Sequence, residues 1–224
     1  MWDGLGLSRE NSGVGAYGRG LYEGLGELGC QPLVASFEGE SPSFVPPDQR
    51  ITIQASAKKF ISRIERLKPF YPLATYSSCK ERWPNAGFIF HGLSNIDLPV
   101  VSAKRNMDRF VVTIHDLIPL NLEEITPLSL QMMALLPRVV SRADKIITPS
   151  YWTKIQLLER YGSHLSEKIE TVGNGTIYSP IVGKDWHGRS IDALTVARGE
   201  GYKRLEIISQ MATKLPQYNL SLIH

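Results

Sequence analysis

Cysteine is scarce in this chain, long apolar runs are absent and net charge is nearly zero, and each shortage removes a class of protein. Only Cys30 and Cys79 occur among 224 residues, far apart and without a CxxC pair. That excludes a disulfide framework and a zinc ribbon, and both are expected to be buried free thiols of a reducing compartment. No segment approaches the ~18 consecutive apolar residues of a membrane span. Met1-Trp2-Asp3-Gly4 is not a basic-then-apolar leader, so the expectation is a cytoplasmic protein. The 25 Lys and Arg against 22 Asp and Glu leave only +3, too little to argue for a nucleic-acid partner. Also missing are Asp-x-Asp, a metal-spaced His/Cys cluster, Gly-x-Ser-x-Gly and a Gly-Lys-Ser/Thr phosphate loop. Chemistry without a bound metal or cofactor is therefore expected.

What the chain does contain is an alternation of strand-like runs and helical patterns, with 42% hydrophobic residues to build a core. Tyr17, Leu21, Leu25 and Leu28 recur at helical spacing over 14–28, and Gly29 stops that helix. Strands are predicted at 32–37, 87–91, 110–115, 145–148 and 168–172. Helices are predicted at 126–143 and from the N-cap Ser150 to Tyr161. Such a sequence folds as α/β, Rossmann-like, with a largely parallel sheet and helices on both faces. Residues 1–176 are expected to form this domain. Residues 177–190, rich in glycine and without apolar periodicity, are expected to be a linker. A strand, helix and strand over 191–224 would then begin a second Rossmann-like unit too small to be a complete domain.

Three groups of residues carry chemistry. His115-Asp116 follows the apolar run 110–114, and His91 ends the run 87–90. In open α/β sheets ligands bind beyond the carboxyl ends of the strands, so both histidines are candidates, against the alternative of imidazoles satisfied by core polar groups. Arg198 and Lys203 flank Gly199-Glu200-Gly201 between a strand and a helix, where glycines admit an anion and cations neutralise it; the alternative is an ordinary charged surface turn. Gly13-Val14-Gly15-Ala16-Tyr17-Gly18 matches G-x-G-x-x-G, with Glu38 about 20 residues further on, as in dinucleotide-binding folds. A dinucleotide loop needs a strand leading directly into its first glycine, however, and 7–12 are polar and irregular. Glycines touching another anion or a sugar fit better. Finally, Lys58 to Lys68 sets Phe60, Ile64 and Leu67 on one face among cations, the pattern of a helix that lies on anionic lipid or of an ordinary amphipathic surface helix.

In this order the segments Ser12-Gly13-Val14-Gly15-Ala16-Tyr17, Thr113-Ile114-His115-Asp116-Leu117, Ala143-Asp144-Lys145-Ile146-Ile147-Thr148-Pro149-Ser150, Lys168-Ile169-Glu170-Thr171-Val172-Gly173-Asn174-Gly175-Thr176 and Val196-Ala197-Arg198 with Tyr202-Lys203-Arg204 resemble the family 4 glycosyltransferases of the GT-B type. The resemblance implies transfer of a sugar from a nucleotide-sugar to a glycan or lipid-linked acceptor, with retention of configuration and without a bound metal. It places the acceptor on the N-terminal domain, with Tyr17 and His91 on the acceptor side. It implies that His115 and Asp116 serve the reacting sugar, and that Gly13, Gly15, Arg198 and Lys203 hold the donor diphosphate.

The family's later acidic motif has no counterpart here, since no carboxylate follows Glu206. The resemblance thus carries the expectation of a truncated second domain and a weak or inactive chain, unless a homodimer or a complementing chain completes it. Two further readings stand beside sugar transfer: a non-catalytic fragment that binds an acceptor or partner, and a dinucleotide-dependent oxidoreductase.

Overall fold

The computed structural model describes residues 1–4, 7, 12–37, 41–53, 71–175, 191–196 and 203–223. The chain divides into two compact units, Met1–Ile177 and Tyr178–His224.

The first unit is built on a seven-stranded sheet. Its strands are β1 (Trp2–Asp3), β2 (Val34–Phe37), β3 (Arg50–Ile53), β4 (Ile89–Gly92), β5 (Arg109–Thr113), β6 (Lys145–Thr148) and β7 (Ile169–Thr171), in spatial order β3-β2-β1-β4-β5-β6-β7. Every neighbouring pair is parallel. The order reverses direction at β1 and β4, and that switch point is where an open α/β sheet leaves a crevice beyond its carboxyl ends.

The helices are α1 (Gly13–Glu27), α2 (Tyr71–Arg82), α3 (Ile118–Asn121), α4 (Pro127–Arg142) and α5 (Tyr151–Tyr161). They cover both faces of the sheet. Successive strand residues point to opposite faces, and β2, buried along its whole length, shows what meets each face. Val34 packs with Trp2 and with Tyr17, Leu21 and Leu25 of α1. Ala35 and Phe37 pack with Tyr71 and Cys79 of α2. A larger cluster joins Phe90, Phe110, Val112 and Ile146 of the central strands to Tyr76 of α2, Met132, Leu136 and Val139 of α4, and Leu157 of α5.

Local chemistry explains the helix ends. Ser12 accepts the Gly15 N–H, Thr126 and Ser129 form a reciprocal capping box, and Ser150 accepts the Thr153 N–H, so the starts of α1, α4 and α5 each find a side-chain acceptor. Gly29, with φ +75°, supplies the left-handed residue just beyond the end of α1.

Among the elements outside the sequence-based expectations are β3 and α2. β3 is four residues long and buries only Ile51 and Ile53, and α2 opens on Tyr71-Pro72 with little apolar periodicity. Both are held by packing rather than by local pattern.

The expectation of two buried thiols is corrected at one position. Cys79 is buried, which pushes its thiol up to about 12. Cys30 is exposed, because it directly follows the Gly29 turn that ends α1.

In the second unit β8 (Ala193–Val196) and β9 (Leu220–Ile223) pair in parallel around α6 (Leu205–Lys214). The residue before α6, Arg204, is left-handed at φ 51° and pairs with Glu206. Among the described residues, no helix is long and apolar enough to cross a membrane. The predicted basic helix over Lys58 to Lys68 and Glu38 lie outside the described residues.

Candidate functional site

Three of the residues singled out above meet at the carboxyl ends of the central strands. His91 is the third residue of β4, and Thr113 ends the neighbouring β5. The His91 Nε2 lies 2.9 Å from Thr113 Oγ1, and the Tyr17 hydroxyl from α1 reaches the same oxygen at 3.1 Å. One buried hydroxyl therefore joins the helix to two strands. Tyr17 also meets the His115 ring edge-to-face, with centroids 5.0 Å apart.

Burial and charge set the protonation of this cluster. His91 is pushed down to about 4, chiefly by burial, then by the nearby amino terminus and His115. It is neutral at physiological pH. Burial pushes the Tyr17 hydroxyl up, with the Thr113 hydrogen bond opposing. Tyr17 is thus a neutral phenol, able to donate or accept.

His115 is held from several sides just past β5. Its Nε2 lies 2.9 Å from the Leu93 carbonyl oxygen, and its backbone N–H donates to Asn95 Oδ1 at 2.8 Å. Its own carbonyl accepts from Thr153 Oγ1 at 3.2 Å. A carbonyl only accepts, so Nε2 carries the ring proton and Nδ1 keeps the free lone pair. Asp116 turns away from that lone pair. Its Oδ1 accepts the Ile118 N–H at 3.0 Å, which starts α3. The side chain of Asp116 is a loop-forming group in this structure.

The glycines occupy the first turns of α1 rather than a separate loop. The Gly15 N–H is taken by Ser12 Oγ at 3.0 Å, which caps this helix end. Gly13 is exposed, with nothing within 4 Å of the place a Cβ would take. Gly18 is buried against Leu7 and Leu93, the reason its position admits no larger side chain without movement of Leu7. In the structure these glycines start and pack the helix.

Lys203 is exposed, two residues ahead of α6, and Arg198 lies outside the described residues. Among the described residues no group of three His, Cys, Asp or Glu is arranged to hold a metal ion.

Sequence reasoning missed Thr113, Asn95 and Asp97 as members of this site. Thr113 had a signal: it is the one polar residue inside the apolar run from Phe110 to Ile114. Asn95 and Asp97 belong to the turn after β4, where polar residues are ordinary. Burial pushes the Asp97 carboxyl up, opposed by hydrogen bonds from Ser94 and by the charge of His115, so this carboxyl senses the imidazole. A cavity of about 500 Å³ also opens on the amino ends of β1, β2 and β4, lined by Trp2, Leu33, Trp83 and Phe88. It is largely apolar and lies at the strand ends opposite to His115.

Comparison with known proteins bears on the whole first unit. The model of one family, Glycosyltransferase Family 4, matches residues 11–177. No curated protein matches the chain.

Proposed function

Because the chain belongs to glycosyltransferase family 4, we propose that it transfers a sugar, with retention of configuration, from a nucleotide-sugar to a glycan or lipid-linked acceptor, using the carboxyl-end crevice around His115. The observation that carries this reading is the convergence of Tyr17, His91, Thr113 and His115 at the switch point of the sheet. The cluster supplies hydroxyl and imidazole groups, which suit sugar hydroxyls because they both donate and accept.

The division of labour follows from the bond that breaks. Cleaving the glycosyl–phosphate bond builds positive charge at the anomeric carbon and negative charge on the departing diphosphate. Groups that favour that separation lower the barrier. In this reading the His115 Nδ1 lone pair accepts a hydrogen bond from a sugar hydroxyl, Asp116 fixes the loop that carries the ring, and Tyr17 and His91 face the acceptor. Residues 1–176 form the acceptor-side domain. Arg198 and Lys203 neutralise the diphosphate.

Calorimetric titration of the chain with uridine, guanosine, adenosine and thymidine diphosphate sugars tests this. Saturable binding of one class, weakened by exchanging Arg198 and Lys203 for glutamine, is expected. Binding of oxidised nicotinamide dinucleotide with no binding of any nucleotide-sugar would overturn it.

A further inference from the structure

The parallel ladder between β4 and β5 ends at Gly92, which pairs with Val112. Beyond Gly92 the chain turns back on itself so tightly that a Cβ on this residue would lie 2.2 Å from the Asp97 carbonyl oxygen. The turn is closed by the Asp97 N–H donating to the Ser94 carbonyl at 3.1 Å. The strand partner that β5 would need next is therefore absent from the ladder. The His115 N–H, which faces the β4 side because the Ile114 N–H is taken by Ile147 of β6, would be left without a strand partner, and partly buried backbone groups need partners.

Asn95 supplies one. Its Oδ1 accepts from the His115 N–H at 2.8 Å, and its Nδ2 donates to the Asp116 carbonyl at 2.9 Å, with Met132 Sδ as a second, weaker acceptor at 3.8 Å. The amide orientation is set by chemistry: flipped, it would put a donor against a donor and an acceptor against an acceptor. One planar side chain thus takes the place of the missing strand partner for the His115 N–H and ties it to the Asp116 carbonyl. The same turn supplies the Leu93 carbonyl that holds the proton on His115 Nε2.

We infer that Asn95 is a positioning residue for His115: its amide ties the turn after β4 to the His115-Asp116 backbone and so keeps the imidazole in the tautomer whose Nδ1 lone pair is free. The inference rests on the sugar-transfer reading for its catalytic consequence, and on geometry alone for the tautomer. Aspartate cannot replace the amide, since its second oxygen would oppose the Asp116 carbonyl. Alanine leaves both backbone groups without a partner.

Histidine-selective nitrogen-15 spectra of the wild type, N95A and N95D test the inference, with H115Q identifying the His115 signals and circular dichroism checking the fold. Wild type is expected to show His115 as a single Nε2–H tautomer near neutral pH, and N95A a mixture of tautomers. With the donor found by titration, turnover of N95A is expected to fall about 10- to 100-fold with its KM nearly unchanged. N95D keeps the acceptor for His115 and loses only the donor to Asp116; it gives the same direction of change even where N95A fails to fold. An unchanged single tautomer in a folded variant overturns the inference, and so does a mixed tautomer with full turnover. Should the wild type transfer no sugar at all, the sugar-transfer reading fails while the spectra still decide the tautomer.

Discussion

Nε2 of His91 and Oγ1 of Thr113 lie 2.9 Å apart, a side-chain bond between two central strands of the sheet. It makes His91 a buried imidazole whose neutral form the fold requires. His91 is pushed down to about 4 from its ordinary value of 6.5, so in the interval between them the unfolded chain binds a proton that the native chain refuses. Stability is therefore complete above about 6.5 and declines as pH falls toward 4, by roughly 3 kcal/mol at most from this group. Urea unfolding from pH 7.5 to 4 should show the decline, and H91Q, which does not titrate, should flatten it.

Thr113 serves two partners with one hydroxyl. T113V keeps the shape but leaves the Tyr17 hydroxyl and the His91 Nε2 without that bond. A loss of about 1–3 kcal/mol is expected, with the urea m-value unchanged. T113S retains the hydroxyl and should recover most of it.

Glycines in this chain separate into two kinds. G92A drives a Cβ onto the Asp97 backbone, which cannot yield as a side-chain tip would, and should cost about 1–3 kcal/mol while displacing the turn that holds His115. G24A, in α1 with nothing within 4 Å of the new methyl, should stabilise by about 0.5–1 kcal/mol. Thermal melts of the two variants check the opposite signs.

Asp108 is fully buried and accepts from the Tyr76 hydroxyl at 2.7 Å, the Arg105 guanidinium and the Phe88 N–H. Burial pushes its carboxyl up, but the hydrogen bonds from Arg105, Tyr76 and Phe88 outweigh that and hold it below the ordinary carboxylate range. Its contribution is present above the unfolded value and is lost as pH falls through the lower folded one. D108A takes the acceptor from the Tyr76 hydroxyl and the counter-charge from Arg105, which keeps its bonds to the Trp83, Pro84 and Ala86 carbonyls, and should destabilise by about 3 kcal/mol, read by chemical denaturation.

The alternation of strands and helices was legible because strands buried on both faces are nearly all apolar and the capping residue Ser150 marks a helix start. β3 and α2 were not, since their residues carry little periodic signal and long-range packing holds them. In the site, His91 and His115 were visible as polar residues closing apolar runs. What stayed hidden was pairing: nothing local to Asn95 shows that β4 ends three residues before it and that its amide must bond the His115 N–H in place of a strand. The exposure of Cys30 was hidden for a related reason, because a lone thiol beside a turn looks the same whether the turn faces the core or water.

The most direct measurement is release of nucleoside diphosphate, with matching gain of mass on an acceptor, from the nucleotide-sugar that binds best, compared between the wild type and H115A at equal folded concentration. Transfer by the wild type and a fall of about 100-fold or more in H115A, with donor binding retained, is the expected result. Equal transfer by both proteins would contradict a site built around His115.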